Sequence, residues 1–170
     1  MITGHELALA LRSAYLAMHR RTDAVLARFG VTADQFVLMA AIPDGAARTQ
    51  QDLVRRLNSD ASTVRAMLIL LEERGLVARV AHPSDGRARA VSLTSKGKKA
   101  LQRMLEASQH LRTRILDALG TDQEQSLKNL LERVTEAMES FQEPPGKPPH
   151  KPPSGNTEAA NNPLTQGARK

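Results

Sequence analysis

Residues 82–97 read His-Pro-Ser-Asp-Gly-Arg-Ala-Arg-Ala-Val-Ser-Leu-Thr-Ser-Lys-Gly, with Arg87 and Arg89 beside a glycine-bearing turn between two short β-type runs. A turn needs its glycine but not the guanidinium groups, so the charge points to an anionic partner outside the chain. From Arg74 to Lys99 there are seven basic residues against one acid, Asp85, an excess equal to the +6 of the whole chain. The basic balance is therefore local. Catalytic chemistry finds no comparable support. His82, Ser84 and Asp85 include the side-chain types of a hydrolytic triad, but within one turn they cannot form its nucleophile–base–orienter geometry. The five histidines, His5, His19, His82, His110 and His150, show no metal-ligand spacing, and no glycine-rich phosphate loop occurs. No catalytic residue, metal or cofactor is expected. Met18, Met67 and Met104 read as core filler.

The elements that must position these residues are mainly helical. Thr32-x-x-Gln35 and Thr121-x-x-Glu124 match the capping box, and Thr49 and Asp60 are further N-cap candidates. Gly30, Gly75 and Gly120 follow periodic segments where helices commonly end in a left-handed residue. These signals predict helices near 5–29, 32–42, 49–57, 60–74, 95–118 and 121–141, with a short hairpin formed by 76–80 and 89–93 around the turn at 83–86. From about residue 142 the chain is proline-rich with almost no large apolar residue, and 142–170 is expected to be a disordered tail.

At 170 residues the chain suits one domain of ordinary size with appendages. It contains no cysteine, which excludes disulfides and thiolate sites and fits a reducing cytoplasm. No apolar run approaches the roughly 20 residues that span a bilayer, so a soluble cytoplasmic protein with no membrane partner is expected. The first helix carries Leu7, Leu11, Ala14, Met18, Val25 and Phe29 at helical spacing, and the last carries Leu127, Leu130, Leu131, Val134, Met138 and Phe141. A helix of some 25 residues is about 37 Å long, more than a small three-helix domain covers, so these stripes point to a helical dimerisation layer. A core within one chain is the alternative.

Two short helices, TQQDLVRRLN and DASTVRAMLILLEERG, are joined by Ser59-Asp60 and followed directly by the basic hairpin. That order suits a winged helix-turn-helix, whose second helix enters the DNA major groove. On that helix Val64, Met67, Leu68 and Leu71 share a core face, which leaves Ser62, Thr63 and Arg65 to point outward with groups that bond bases or phosphates.

Asp85-x-Arg87, five residues, then Leu93-Thr94-x-x-Gly97 resembles the wing signature of the MarR family of transcriptional regulators. Gln51-Asp52-Leu53, Ser62-Thr63-Val64 and Leu71-Glu72-Glu73-Arg74-Gly75-Leu76-Val77 continue the resemblance upstream in the family's order, over roughly 5–141. It implies a ligand-responsive homodimeric DNA-binding regulator, of repressor type, on a pseudo-palindromic operator. Residues 1–30 and 95–141 would form the dimerisation region and 31–94 the winged domain. Thr49, Gln50, Ser62, Thr63, Arg65, Arg87 and Arg89 would contact double-stranded DNA, with Arg87 in the minor groove and Asp85 bracing it or the wing backbone. The family's cleft for a small aromatic or anionic ligand would involve Tyr15, His19 and Arg20. The sequence departs from the family where many members carry a basic residue in place of Ala66 and a polar one in place of Ile69; here the basic residue is Arg65. Two other classes stand beside this reading: a sequence-tolerant architectural DNA-binding protein and a winged protein-interaction module.

Overall fold

A computed structural model describes residues 1–82, 85–120 and 122–141, and the side chains of these apart from residues 82 and 85–89. The tail at 142–170, the cap at Thr121 and the turn residues Pro83 and Ser84 lie outside the described residues. The chain divides into two compact units, residues 1–126 and residues 127–170.

In the first unit, α1 (Gly4–Leu26) starts at a capping box in which the Thr3 hydroxyl accepts from the Glu6 amide and the Glu6 carboxylate accepts from the Thr3 amide. It runs into a 3-10 turn, Ala27–Phe29, that stops at Gly30 in the left-handed region, φ 64°. The short helix α2 (Ala33–Ala40) follows the capping box expected at Thr32 and Gln35. Strand β1 (Arg48–Thr49) leads into α3 (Gln50–Leu57). Thr49 caps α3, with Asp52 closing the box. Asn58, at φ 46°, ends it. Helix α4 (Ala61–Glu73) is capped by Asp60, whose carboxylate accepts from the Thr63 amide at 2.8 Å.

Helix α4 closes with the paired hydrogen bonds of a Schellman motif, Gly75 N–H to Glu72 C=O at 2.8 Å and Leu76 N–H to Leu71 C=O at 2.9 Å, around Gly75 at φ 66°. The hairpin consists of β2 (Val77–His82) and β3 (Asp85–Leu93), longer than the sequence signal because the antiparallel pairing continues from Val77↔Leu93 out to His82↔Asp85. β1 adds to the other edge of β3 through Arg48↔Val91 and Thr49↔Ala90, giving the order β1-β3-β2. Two residues are too few for any periodicity to announce this strand.

Two expectations are corrected. The helix expected over 95–118 is two, α5 (Ser95–Ala107) and α6 (Gln109–Ala118), broken at Ser108. The Ser108 hydroxyl donates back to the Met104 carbonyl at 2.7 Å, and the Arg112 guanidinium donates to Ser108 Oγ at 2.8 Å and to the Leu105 carbonyl at 2.7 Å. Side-chain bonding of this kind competes with the helical ladder and compensates the carbonyls it frees. The left-handed stop expected at Gly120 is absent: α6 ends at Ala118, its cap Leu119 is in extended geometry, and Gly120 is not among the positive-φ glycines of the described residues.

The core gathers Leu26, Leu38, Met39, Leu53, Val64, Leu68, Leu71 and Met104, with Val77, Val91 and Leu93 from the sheet. Met104 is thus core filler as expected and Met67 is half-buried against the same cluster, but Met18 is 47% exposed. The motif that carried the family resemblance is largely architectural here. Arg74 donates to the carbonyls of Phe29 (2.8 Å) and Gly30, fastening the end of the first helical segment to the end of α4. Thr94 caps α5 by accepting from the Gly97 amide at 2.9 Å and donates to the Gly75 carbonyl at 2.7 Å. Helix α7 (Glu124–Glu139) crosses the unit boundary and leaves Leu127, Leu130, Leu131, Val134 and Met138 exposed.

Candidate nucleic-acid interface and ligand cleft

The N-terminal end of α4 is organised by one carboxylate. Asp60 accepts from Ser62 Oγ as well as from the Thr63 amide. The Ser62 side chain foremost, then the side chain and amide of Thr63, hold its carboxyl far below the ordinary carboxylate range. The Thr49 hydroxyl is committed as well, donating to Asp52 Oδ2 at 2.7 Å and accepting from the Asp52 amide at 3.1 Å. The Thr49 hydroxyl, then the Thr49 amide, which also donates to this carboxylate, and the Arg55 guanidinium hold the Asp52 carboxyl below its usual range. Gln50 donates through Nε2 to the Ala61 carbonyl at 3.3 Å, which ties the start of α3 to the start of α4. Thr49, Gln50, Ser62 and Thr63 therefore lie together at the α3–α4 end of the fold, but all four are engaged in positioning the two helices. Arg65 is exposed on the same end, and its side chain makes no hydrogen bond or ion pair with the described residues.

The basic window from Arg74 to Lys99 is less available than its composition implies. Arg74 is spent on backbone carbonyls, Arg79 pairs with Glu72 at 3.2 Å, Lys96 donates to the Arg74 carbonyl at 2.8 Å, and Lys98 pairs with Asp44 at 2.6 Å. The Lys98 ammonium holds the Asp44 carboxyl below its usual range. Arg87, Arg89 and Asp85 lie on β3, but their side chains lie outside the described residues.

A cleft of ≈ 190 Å³ opens between α1, α2 and α6, walled by Met18, Phe36, Val37, Leu111 and Ile115 and edged by Tyr15, His19, Asp34, Ser108 and Arg112. His19 bridges α1 to α2, with Nδ1 3.2 Å from Asp23 and Nε2 3.3 Å from Asp34. Asp23 also accepts from the Ala33 amide at 2.7 Å. The Tyr15 ring lies 5.4 Å from the His19 ring. Of the three residues named for a ligand, Tyr15 and His19 line this cleft; Arg20 is exposed and does not. Arg112 supplies a guanidinium at the edge, and no sequence signal marked it, because α6 lies far along the chain from α1 and α2, with which it forms the cleft. A second cleft, ≈ 270 Å³, shares Tyr15, Asp34 and Val37 with the first and continues to Asn58, Ser59, Thr63 and Met67 at the α3–α4 end.

The family model described as the MarR family matches residues 29–88, from the end of the first helical segment into the second strand of the wing. The transcriptional regulator HosA of Escherichia coli O111:H- is 30% identical over 107 residues, which cover 63% of this chain and 79% of that protein. The chain belongs to the MarR family. It is a MarR-family transcriptional regulator with the winged-helix fold. The transcriptional repressor Rv2887 of Mycobacterium tuberculosis is 27% identical over 112 residues, 66% of this chain and 81% of its own. The structure of a mutant of E. coli MarR complexed with operator DNA matches with TM-score 0.67 at 26% identity, over 75% of this chain and 92% of that one. Among the described residues no helix is long and apolar enough to cross a membrane.

Proposed function

We propose that this MarR-family protein is a non-enzymatic, ligand-responsive repressor that binds a pseudo-palindromic operator as a homodimer in the cytoplasm. The observation that carries the reading is the α3–α4 end: a helix pair locked by Asp52, Asp60 and Gln50, presenting Arg65 to solvent, with the basic hairpin following α4 directly in the chain. Helix α4 enters the major groove, with Arg65 on a guanine edge, while on the wing Arg87 takes the flanking minor groove, Arg89 also contacts DNA, and Asp85 braces Arg87 or the wing backbone. Thr49, Gln50, Ser62 and Thr63 act at the DNA surface mainly by holding α4 in place. The operator complex of the MarR mutant supports this docking for a relative with the same fold.

The division of labour follows the sequence reading, with 31–94 as the winged domain and 1–30 with 95–141 as the dimerisation region. Supporting it, Leu7 and Met18 on α1, Ile115 and Leu116 on α6 and Leu130 and Met138 on α7 are all more than 40% exposed in the single chain. An apolar display of that extent marks an interface. The cleft edged by Tyr15, His19 and Arg112 takes a small aromatic or anionic molecule. Because its Tyr15–Asp34–Val37 wall is shared with the cleft that reaches Thr63, an occupant there bears on the setting of α4.

Selection of bound duplexes from a random pool tests the reading. The expected product is a motif with two inverted half-sites about one helical turn, roughly 10 base pairs, apart. A single undivided motif contradicts the dimeric docking, and no motif contradicts sequence-specific binding.

A further inference from the structure

The outward face of α4 is set by its buried one. Val64, Leu68 and Leu71 are buried to 1% exposure or less. At 3.6 residues per turn the crest opposite them is Ser62, Ala66 and Ile69, spaced i, i+4 and i+7, with Arg65 on one flank and Thr63 on the other. All five are exposed. Near the N-terminus Asp60 already engages the crest's polar member, since Ser62 Oγ donates to its carboxylate, and the amide of the flanking Thr63 donates to the same group. Between Ser62 and Glu73, which ends the crest at the last residue of α4, it is hydrocarbon: the Ala66 methyl, then the Ile69 side chain, 39% exposed.

An apolar crest in a major groove has one complementary group among the base edges, the C5-methyl of thymine. Alanine suits it because a short side chain lets the helix approach the groove floor. Ala66 and Ile69 are about 4.5 Å apart along the helix at 1.5 Å per residue. That is close to one base step of roughly 3.4 Å, so the two can address neighbouring positions. Resting on the DNA-binding reading above, we infer that Ala66, with Ile69 one turn further, specifies thymine in each half-site by burying its C5-methyl beside the base contacted by Arg65.

The test uses the selected operator, with each half-site thymine replaced singly by deoxyuridine, which lacks only that methyl. Wild-type full-length protein is expected to bind about four-fold more weakly at one or two of these positions, the value of one buried carbon, and unchanged at the others. In Ala66→Ser or Ile69→Ala the corresponding penalty disappears while preference at the Arg65 position remains. Undiminished wild-type binding at every deoxyuridine position, or a half-site without thymine, overturns the inference and leaves the DNA-binding reading standing. A penalty that persists in both variants overturns its assignment to these residues. If the pool yields no motif, the functional reading fails first and this inference with it.

Discussion

Gly97→Ala is expected to destabilise the fold by about 2 kcal/mol or more, against the sign that helix propensity alone would give. Gly97 is the third residue of α5, where alanine is ordinarily favoured over glycine by about 1 kcal/mol. Here the helix starts against the turn after α4, and a Cβ on Gly97 would overlap the carbonyl oxygen of Leu76 and lie 2.8 Å from its carbon. The obstacle is backbone and cannot rotate away. The same Leu76 carbonyl accepts from the Thr94 amide at 3.1 Å, so making room for the methyl also loosens the cap of α5. Overpacking of this kind costs about 1–3 kcal/mol and more where backbone must move, which outweighs the propensity gain. For a chain of this size the loss reads as roughly 5–8 °C in Tm. Gly4→Ala, where a Cβ meets nothing within 4 Å, serves as the control and should change Tm little. A Gly97→Ala protein as stable as the wild type would show that α5 does not abut Leu76.

Arg87→Ala is expected to weaken operator binding about ten- to a hundred-fold, the value of a hydrogen bond to a charged group, while leaving the base preference of α4 intact. The expectation follows from how the basic window is used. Arg74, Arg79, Lys96 and Lys98 all have partners within the chain, so four of the seven basic residues of the window are already engaged and the wing arginines carry much of what remains of its charge. A guanidinium in a minor groove gains from the groove's negative potential, more so where an A-tract narrows it. Loss of one phosphate-equivalent contact should make the slope of log K against log salt shallower by about one unit. Arg87→Lys should recover only part of the affinity, since a compact, strongly hydrated ammonium fits a narrow groove less well. Arg79→Ala is the comparison: its guanidinium already faces Glu72 at 3.2 Å, and its loss should alter affinity and slope far less. Fluorescence anisotropy over a salt series, with A·T-rich and G·C-rich flanks, measures all three. Equal effects of Arg79→Ala and Arg87→Ala would mean that the wing has no special place in recognition.

Much of the fold was legible because its boundaries are local chemistry. The hydroxyl of Thr32 and its partner Gln35, the caps at Thr49 and Asp60, and the left-handed stops at Gly30 and Gly75 all act within a few residues of where they stand. The break at Ser108 was not legible, since apolar spacing runs through it from Met104 to Leu111 and Ile115 with no glycine or proline. What opens it is an arginine four residues later, bonding to Ser108 and Leu105. Long-range roles were hidden for the same reason. Nothing near Arg74 in sequence reveals that its carbonyl partners lie at Phe29 and Gly30, 45 and 44 residues away. In the candidate site, Ser62, Thr63 and Arg65 were readable as outward-facing from the periodicity of α4. That Asp60 would occupy the first two, leaving Arg65 with an apolar crest at Ala66 and Ile69, needed the geometry.

The claim that this protein reads DNA sequence, rather than coating DNA or binding another protein, is tested most directly by competition. Wild-type protein on a labelled selected operator is challenged at one fixed salt concentration with unlabelled operator and with a scrambled duplex of the same composition. The scrambled duplex should be required at about 10³-fold or higher excess to compete equally. Equal competition by the two duplexes, or no salt-dependent binding to either, would contradict it.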